Sequence, residues 1–273
     1  MKRCLPCALF LFGAVSAQAD CRDNRICVDT VELGDDIALL ARNLGDYPIT
    51  YTLRVREPYQ YNRASSIVTR TLAPRQTEQV LEFASADLGG SGKVHFSYEW
   101  TIGDKDAIHD DDHLYALPYR SGSSYRVLQG YGSRFSHTGL EEFAIDFDMK
   151  TGTAVHAARA GVVARVQESH SRGCWDDGCG AYANYIVIIH NDGTTGEYYH
   201  LQKNGALVQT GDRVAQGQKI AHSGNTGHTT MPHLHFAVYR ATSGGNTQSI
   251  PVRFQGVDGI ITRPRRGGRY QAM

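Results

Sequence analysis

The chain is 273 residues long, and its 28 lysines and arginines are balanced by 28 aspartates and glutamates. That neutrality argues against nucleic acid as a partner, and the length suits two modest domains better than one. Alternating patterns dominate both halves, so the expected fold class is mainly β.

The first feature in chain order is an export signal over residues 1–19. Lys2 and Arg3 supply a positive end, Leu9 to Val15 an apolar stretch, and Ala17-Gln18-Ala19 a small-residue cleavage site. The apolar run is far shorter than the ~20 residues needed to cross a bilayer. A periplasmic or secreted protein with no integral membrane segment after cleavage is therefore expected. Lipid attachment at Cys21 is disfavoured, because Asp20 sits where such processing demands a small neutral residue. Cleavage removes Cys4 and Cys7 and leaves Cys21, Cys27, Cys174 and Cys179 for an oxidising compartment. Two local disulfides follow, Cys21–Cys27 and Cys174–Cys179, since neither pair has a partner pair at zinc-finger spacing.

Residues 20–118 are read as an immunoglobulin-like β-sandwich with a linker. Ile49, Tyr51, Leu53 and Val55 share one face of a strand, and Val94, Phe96, Tyr98, Trp100 and Ile102 share one face of another. Gly45-Asp46-Tyr47-Pro48, Pro74 and Gly89-Gly90 supply the loops. The linker run His109-Asp110-Asp111-Asp112-His113 could bind a metal or plug a neighbouring site, although such runs are more often solvated. Residues 119–254 form a second strand-rich region. Residues 255–273 are an extension with arginines from Arg263 to Arg269, able to touch an anionic polymer.

Chemistry concentrates in the second region. In His233-Leu234-His235-Phe236 the two histidines project together from a strand while Leu234 and Phe236 turn inward. In Phe143-Ala144-Ile145-Asp146-Phe147 the side chains of Phe143, Ile145 and Phe147 form the buried face and leave Asp146 on the other, and His137 lies just upstream. His137, Asp146 and His235 would make a His/Asp/His zinc site with one position left for water. His200, in Tyr198-Tyr199-His200-Leu201, would flank that site with His233, handling protons and charge without binding metal. Tyr199 and Leu201 suit the core. His156, His190, His222 and His228 sit at strand ends or turns, where a solvated or hydrogen-bonded role is the default. The loop Ser169 to Asn184, with Trp175 inside its disulfide, is either a groove wall or only a stapled surface loop.

These residues resemble the lysostaphin-type, or LytM-domain, zinc endopeptidases. The likeness rests on Tyr131-Gly132, Phe135-Ser136-His137, Ala144-Ile145-Asp146-Phe147, Gly152-Thr153-Ala154-Val155, Gly161-Val162-Val163, Tyr199-His200-Leu201, Gly217-Gln218 and Ser223 to Phe236, in the family's order. It implies an antiparallel β fold with a narrow groove over zinc and, as substrate, peptidoglycan stem or cross-bridge peptides. Metal ligands map onto His137, Asp146 and His235, and the non-ligand catalytic histidines onto His200 and His233. Gly227, Thr229 and Thr230 line the groove by the same likeness. In many relatives the first histidine stands four residues before the aspartate, where this chain has Glu142, which leaves Glu142 as an alternative first ligand. Relatives also commonly carry an acid where this chain has Ala237. Two other functions fit the same sequence: a non-catalytic regulator of other wall hydrolases, and a secreted protease for Gly-rich proteins. The first part of the chain could bind the wall, bind a partner, or act as a brake on the groove.

Overall fold

A computed structural model describes residues 19–56, 66–84 and 94–273. The expected export signal lies outside them except for Ala19, as does Gly89-Gly90. No described helix is long and apolar enough to cross a membrane.

The first part of the chain contributes β1 (Asp20–Arg22), β2 (Ile26–Leu33), β3 (Asp36–Asn43), β4 (Ile49–Arg56), β5 (Ser66–Leu72), β6 (Thr77–Phe83) and β7 (His95–Ile102). They form two sheets, in the orders β1-β2-β3-β6 and β5-β4-β7. Ile26, Val28, Leu39 and Ala41 of the first sheet meet Ile49, Tyr51, Leu53, Val55, Tyr98 and Ile102 of the second in one apolar core. The alternation in β4 and β7 is thus spent on a sheet-to-sheet interface. Both disulfides are present, and Cys21–Cys27 staples β1 to β2 directly across the ladder.

The second part follows with β8 (Leu114–Ala116), β9 (Ser124–Gln129), β10 (Ile145–Phe147), β11 (Ala154–His156), β12 (Gly161–Gln167) and β13 (Gly173–Cys174). After these come β14 (Tyr185–Ile189), β15 (Thr195–Tyr199), β16 (Leu201–Ala206), β17 (Arg213–Val214), β18 (Lys219–Ser223) and β19 (Gly227–His228). The last are β20 (Leu234–Ala241), β21 (Thr247–Ile250), β22 (Arg253–Gly256), β23 (Gly259–Ile261) and β24 (Arg269–Gln271). The central sheet runs β17-β12-β14-β15-β20-β10-β9-β24, with β21 also on β20, and every pairing in it is antiparallel.

Strand β14 shows why the two parts belong together. Its sequence, Tyr-Ile-Val-Ile-Ile, is apolar at successive positions, which a half-solvated strand does not need. Ile186 and Ile188 enter the core of the second part, whereas Val187 and Ile189 join Ala164 in the core of the first. Register carries that placement across the sheet. Val187 pairs with Glu197, Glu197 with Ala237, and Tyr199 with His235, so all of these side chains share one face. The first part of the chain therefore covers the β12–β14 end of the face that, over β20 and β10, bears His235 and Asp146. The other face of β4 is also covered, because the Gly244 amide donates to Thr52 Oγ1 at 2.7 Å.

The run 109–113 joins no metal-binding group among the described residues. His109 binds Asp111 and the Tyr115 hydroxyl, and Asp112 pairs with Arg253.

Candidate metal centre and groove

Three neighbouring elements bring the site residues together. Asp146 of β10 pairs in register with His235 of β20 on one side and Gln129 of β9 on the other. Ile145 and Phe147 fill the core while Asp146 faces the groove, yet Asp146 is only 4% exposed because the groove walls close over it. Phe143 lies before the strand and packs edge-on against Tyr131 instead. His137 arrives on the loop between β9 and β10 and is also buried.

One ligand atom from each of His137, Asp146 and His235 lies within 4.8 Å of the others. Asp146 Oδ1 sits 2.9 Å from His235 Nδ1 and 3.3 Å from His137 Nε2, while Gln129 donates to Oδ2 at 2.6 Å. Glu142 is exposed and outside this group. Its neighbour Glu141 is the acid that enters the site, from the 3-10 turn Gly139–Glu141. Tyr239 donates its hydroxyl to Glu141 at 2.6 Å, and His235 Nε2 lies 3.3 Å from that same hydroxyl. A single chain thus runs from Glu141 through Tyr239 to the histidine ring. Tyr239 sits four residues beyond His235 on the same strand face, a spacing that could have marked it; nothing local marks Glu141 or Gln129.

Across from Asp146 the His200 and His233 rings lie 4.5 Å apart. His200 occupies the junction between β15 and β16 with φ of 63°, a left-handed conformation that costs a non-glycine residue about 1–3 kcal/mol. That turn breaks strand alternation. Leu201 therefore enters the core as expected, whereas Tyr199 stays on the groove face, with its hydroxyl on Glu197.

Backbone carbonyls choose the tautomers. His200 Nδ1–H donates to Thr226 O and His233 Nδ1–H to Met231 O, both at 2.7 Å, and His137 Nδ1 faces Gly130 O at 3.4 Å. Each neutral ring then carries its lone pair on Nε2. His137 Nε2 is buried with no hydrogen-bond partner. A buried acceptor left bare is costly, and a cation shared with Asp146 and His235 would satisfy it.

Burial, with His233 and His235 adjacent, pushes the His200 pKa down to about 3. Burial also lowers His233, against the pull of Asp146. Both rings are therefore neutral near pH 7. Burial alone would raise Asp146, but the His137 and His235 rings beside it and the nearby histidine charge hold it well below the usual carboxylate range. His235 is the converse: despite its burial, Asp146 and Glu141 raise it to about 10.

These residues line a groove of about 480 Å³. Phe135 and Trp175 stack at 5.2 Å between ring centres, and Trp175 stacks on His228 at 4.1 Å. The disulfide loop is thus a groove wall. Thr229 and Thr230 line the groove and Gly227 does not; His156, His190 and His222 stay outside it, and no described residue of 20–118 enters it.

Residues 141–250 match peptidase family M23. The chain belongs to that family. It is similar to glycyl-glycine endopeptidase ALE-1 of Staphylococcus capitis, 34% identical over 134 residues that span 48% of this chain and 34% of that protein. It is also similar to peptidoglycan DD-endopeptidase ShyA of Vibrio cholerae, 34% identical over 122 residues that span 43% of this chain and 26% of that protein. Among solved structures, the catalytic domain of the antimicrobial peptidase lysostaphin from Staphylococcus simulans is 30% identical, covering 46% of this chain and 87% of that one with a TM-score of 0.33. The chain thus spans about a third or less of the curated relatives named here.

Proposed function

We propose that this chain is an exported, zinc-dependent endopeptidase that hydrolyses peptide bonds in the stem or cross-bridge peptides of peptidoglycan. The bare Nε2 of His137, facing Asp146 and His235, carries the reading. His137 Nε2, an Asp146 oxygen and His235 Nδ1 would hold the zinc. When bound there, the ion polarises the scissile carbonyl and makes water acidic enough to attack near pH 7. His200 and His233, neutral and with free Nε2 lone pairs, take the proton that water gives up and return one to the leaving amine. Once protonated on Nε2, either ring can also donate to the charge on the carbonyl oxygen. In this reading residues 20–118 and 119–254 are two domains and 255–273 an extension, and the product works in the periplasm or beyond it.

Digestion of purified sacculi, with new peptide ends identified by mass spectrometry and bound metal measured on the same sample, tests this directly. New stem or cross-bridge ends from a zinc-loaded sample are expected. Intact sacculi with zinc bound would favour a non-catalytic regulator, and cleavage of a Gly-rich protein alone would favour the third function.

Tyr239→Phe removes the acceptor that fixes the His235 ring, and such support typically amounts to about 10- to 100-fold in metal affinity. That loss, read by chelator competition, is expected for Tyr239→Phe and for Glu141→Gln.

The His235 pKa of about 10 gives metal uptake a defined pH dependence. Zinc at Nδ1 must displace the proton that Asp146 holds there. Below about pH 10 uptake should therefore release about one proton, and affinity should rise as pH rises from 7. Titration in weak and strong buffers reads this release; none would remove His235 as a ligand. For metal-free protein the signs run oppositely. The His235 contribution to stability is complete below the ordinary histidine value of 6.5 and lost as pH climbs through about 10. That of Asp146 is complete above 3.8 and lost as pH falls toward its depressed folded value. Metal-free protein should thus be most stable between pH 3.8 and 6.5 as far as this pair decides it.

A further inference from the structure

The groove has an end that the zinc reading does not use. Residues 255–273 are tied into the molecule there: β24 pairs with β9, Val127 N donates to Gly268 O, Gly267 N donates to Val127 O, and Tyr119 donates its hydroxyl to Tyr270 O. Pro264 O lies so close to Gly130 that a Cβ there would meet it at 2.1 Å. The extension is therefore a fixed rim, and it carries Arg266 into the groove lining beside Arg126 of β9.

Arg126 lies beyond the Asp146–Gln129 pair, next to Asp148, whose amide donates to Arg126 O. Two residues along a strand advance about 7 Å on the same face, which places this end one or two substrate residues from the metal centre. Both arginines are exposed, and neither is in any ion pair among the described residues. Asp148, half-exposed, is the acid lining this end with them, and Arg263 and Arg265 line the adjoining hollow. Cations without acidic partners at a groove wall offer charge-assisted hydrogen bonds to an anion, and the guanidinium fork matches a carboxylate.

We infer that Arg126 and Arg266 form a carboxylate subsite, so that the preferred substrate is a peptide bearing a free carboxylate on the β9 side of the scissile bond. This rests on the endopeptidase reading for its meaning as specificity. The carboxylate can belong to an acidic side chain or to a chain terminus; the subsite chemistry is the same.

The test uses the zinc-loaded full chain and short Gly/Ala peptides with Glu or Gln at one position and a C-terminal acid or amide. The peptide with the recognised carboxylate should have a KM about tenfold lower than its neutral twin, with kcat nearly unchanged and the advantage shrinking as salt rises. Which arm shows the effect, Glu or free terminus, identifies the source. Arg266→Gln and Arg126→Gln should each erode the acidic-to-neutral ratio, and both together should bring it near one. Arg213→Gln, on β17 at the far edge of the sheet, should leave it intact. No preference in the wild type, or equal loss on acidic and neutral peptides, overturns the subsite. Should none of the peptides be cut, calorimetric dissociation constants for the same set carry the comparison. A carboxylate preference there sustains the subsite while the endopeptidase reading fails.

Discussion

His235→Ala is expected to leave the protein folded but unable to retain zinc through dialysis, and to reduce sacculus digestion by more than ~100-fold, since losing a ligand exceeds the 10- to 100-fold typical of outer-shell changes. The ring is central in three respects. Its Nδ1 faces Asp146 at 2.9 Å, its Nε2 faces Tyr239, and it separates His137 from the His200–His233 pair. Its removal also strands the Asp146 carboxylate, which is buried and depends on its imidazole partners to stay ionised. Metal content and thermal unfolding measured on one sample decide the matter. A variant that still binds zinc tightly and digests sacculi would end the His137/Asp146/His235 assignment.

The second large effect has a different signature. His200→Ala and His233→Ala should each lower kcat by about 10²- to 10⁴-fold, the usual range for a positioned acid or base, while zinc content stays at the wild-type level. Their Nδ1 atoms are committed to Thr226 O and Met231 O, and neither ring belongs to the group of three around Asp146. His200→Ala has an opposing structural component. Alanine in the left-handed backbone at 63° loses the hydrogen bond to Thr226 that helps to hold it, so unfolding must be measured beside activity. Loss of metal in step with loss of activity would make either histidine a ligand.

The first part of the chain leaves the groove clear among the described residues, which counts against a plug. Because it shares one sheet face with the site, it can still bear on substrates too large for the groove. Deleting residues 20–118 would also expose Ala164, Val187 and Ile189, so reduced activity after that deletion would report lost packing before lost regulation.

By itself the sequence determined which side chains the proposed chemistry would draw on. Alternation with a period of two put His235 and Asp146 opposite apolar partners, and the short cysteine spacings gave both disulfides. Tertiary structure alone decided what stands behind and around those groups. Glu141 and Gln129 reach the site, and Tyr239 completes the link to Glu141, only because β9, β10 and β20 are neighbours and a 3-10 turn folds back beside them. Val187 and Ile189 pack against a separate pair of sheets, which a run of apolar residues cannot disclose. Arg266 becomes groove lining only through the pairing of β24 with β9. The reason is common to all of them: side-chain alternation is a local property of a strand, whereas strand order comes from pairings between distant segments, whose hydrogen bonds are made by backbone groups that every sequence shares.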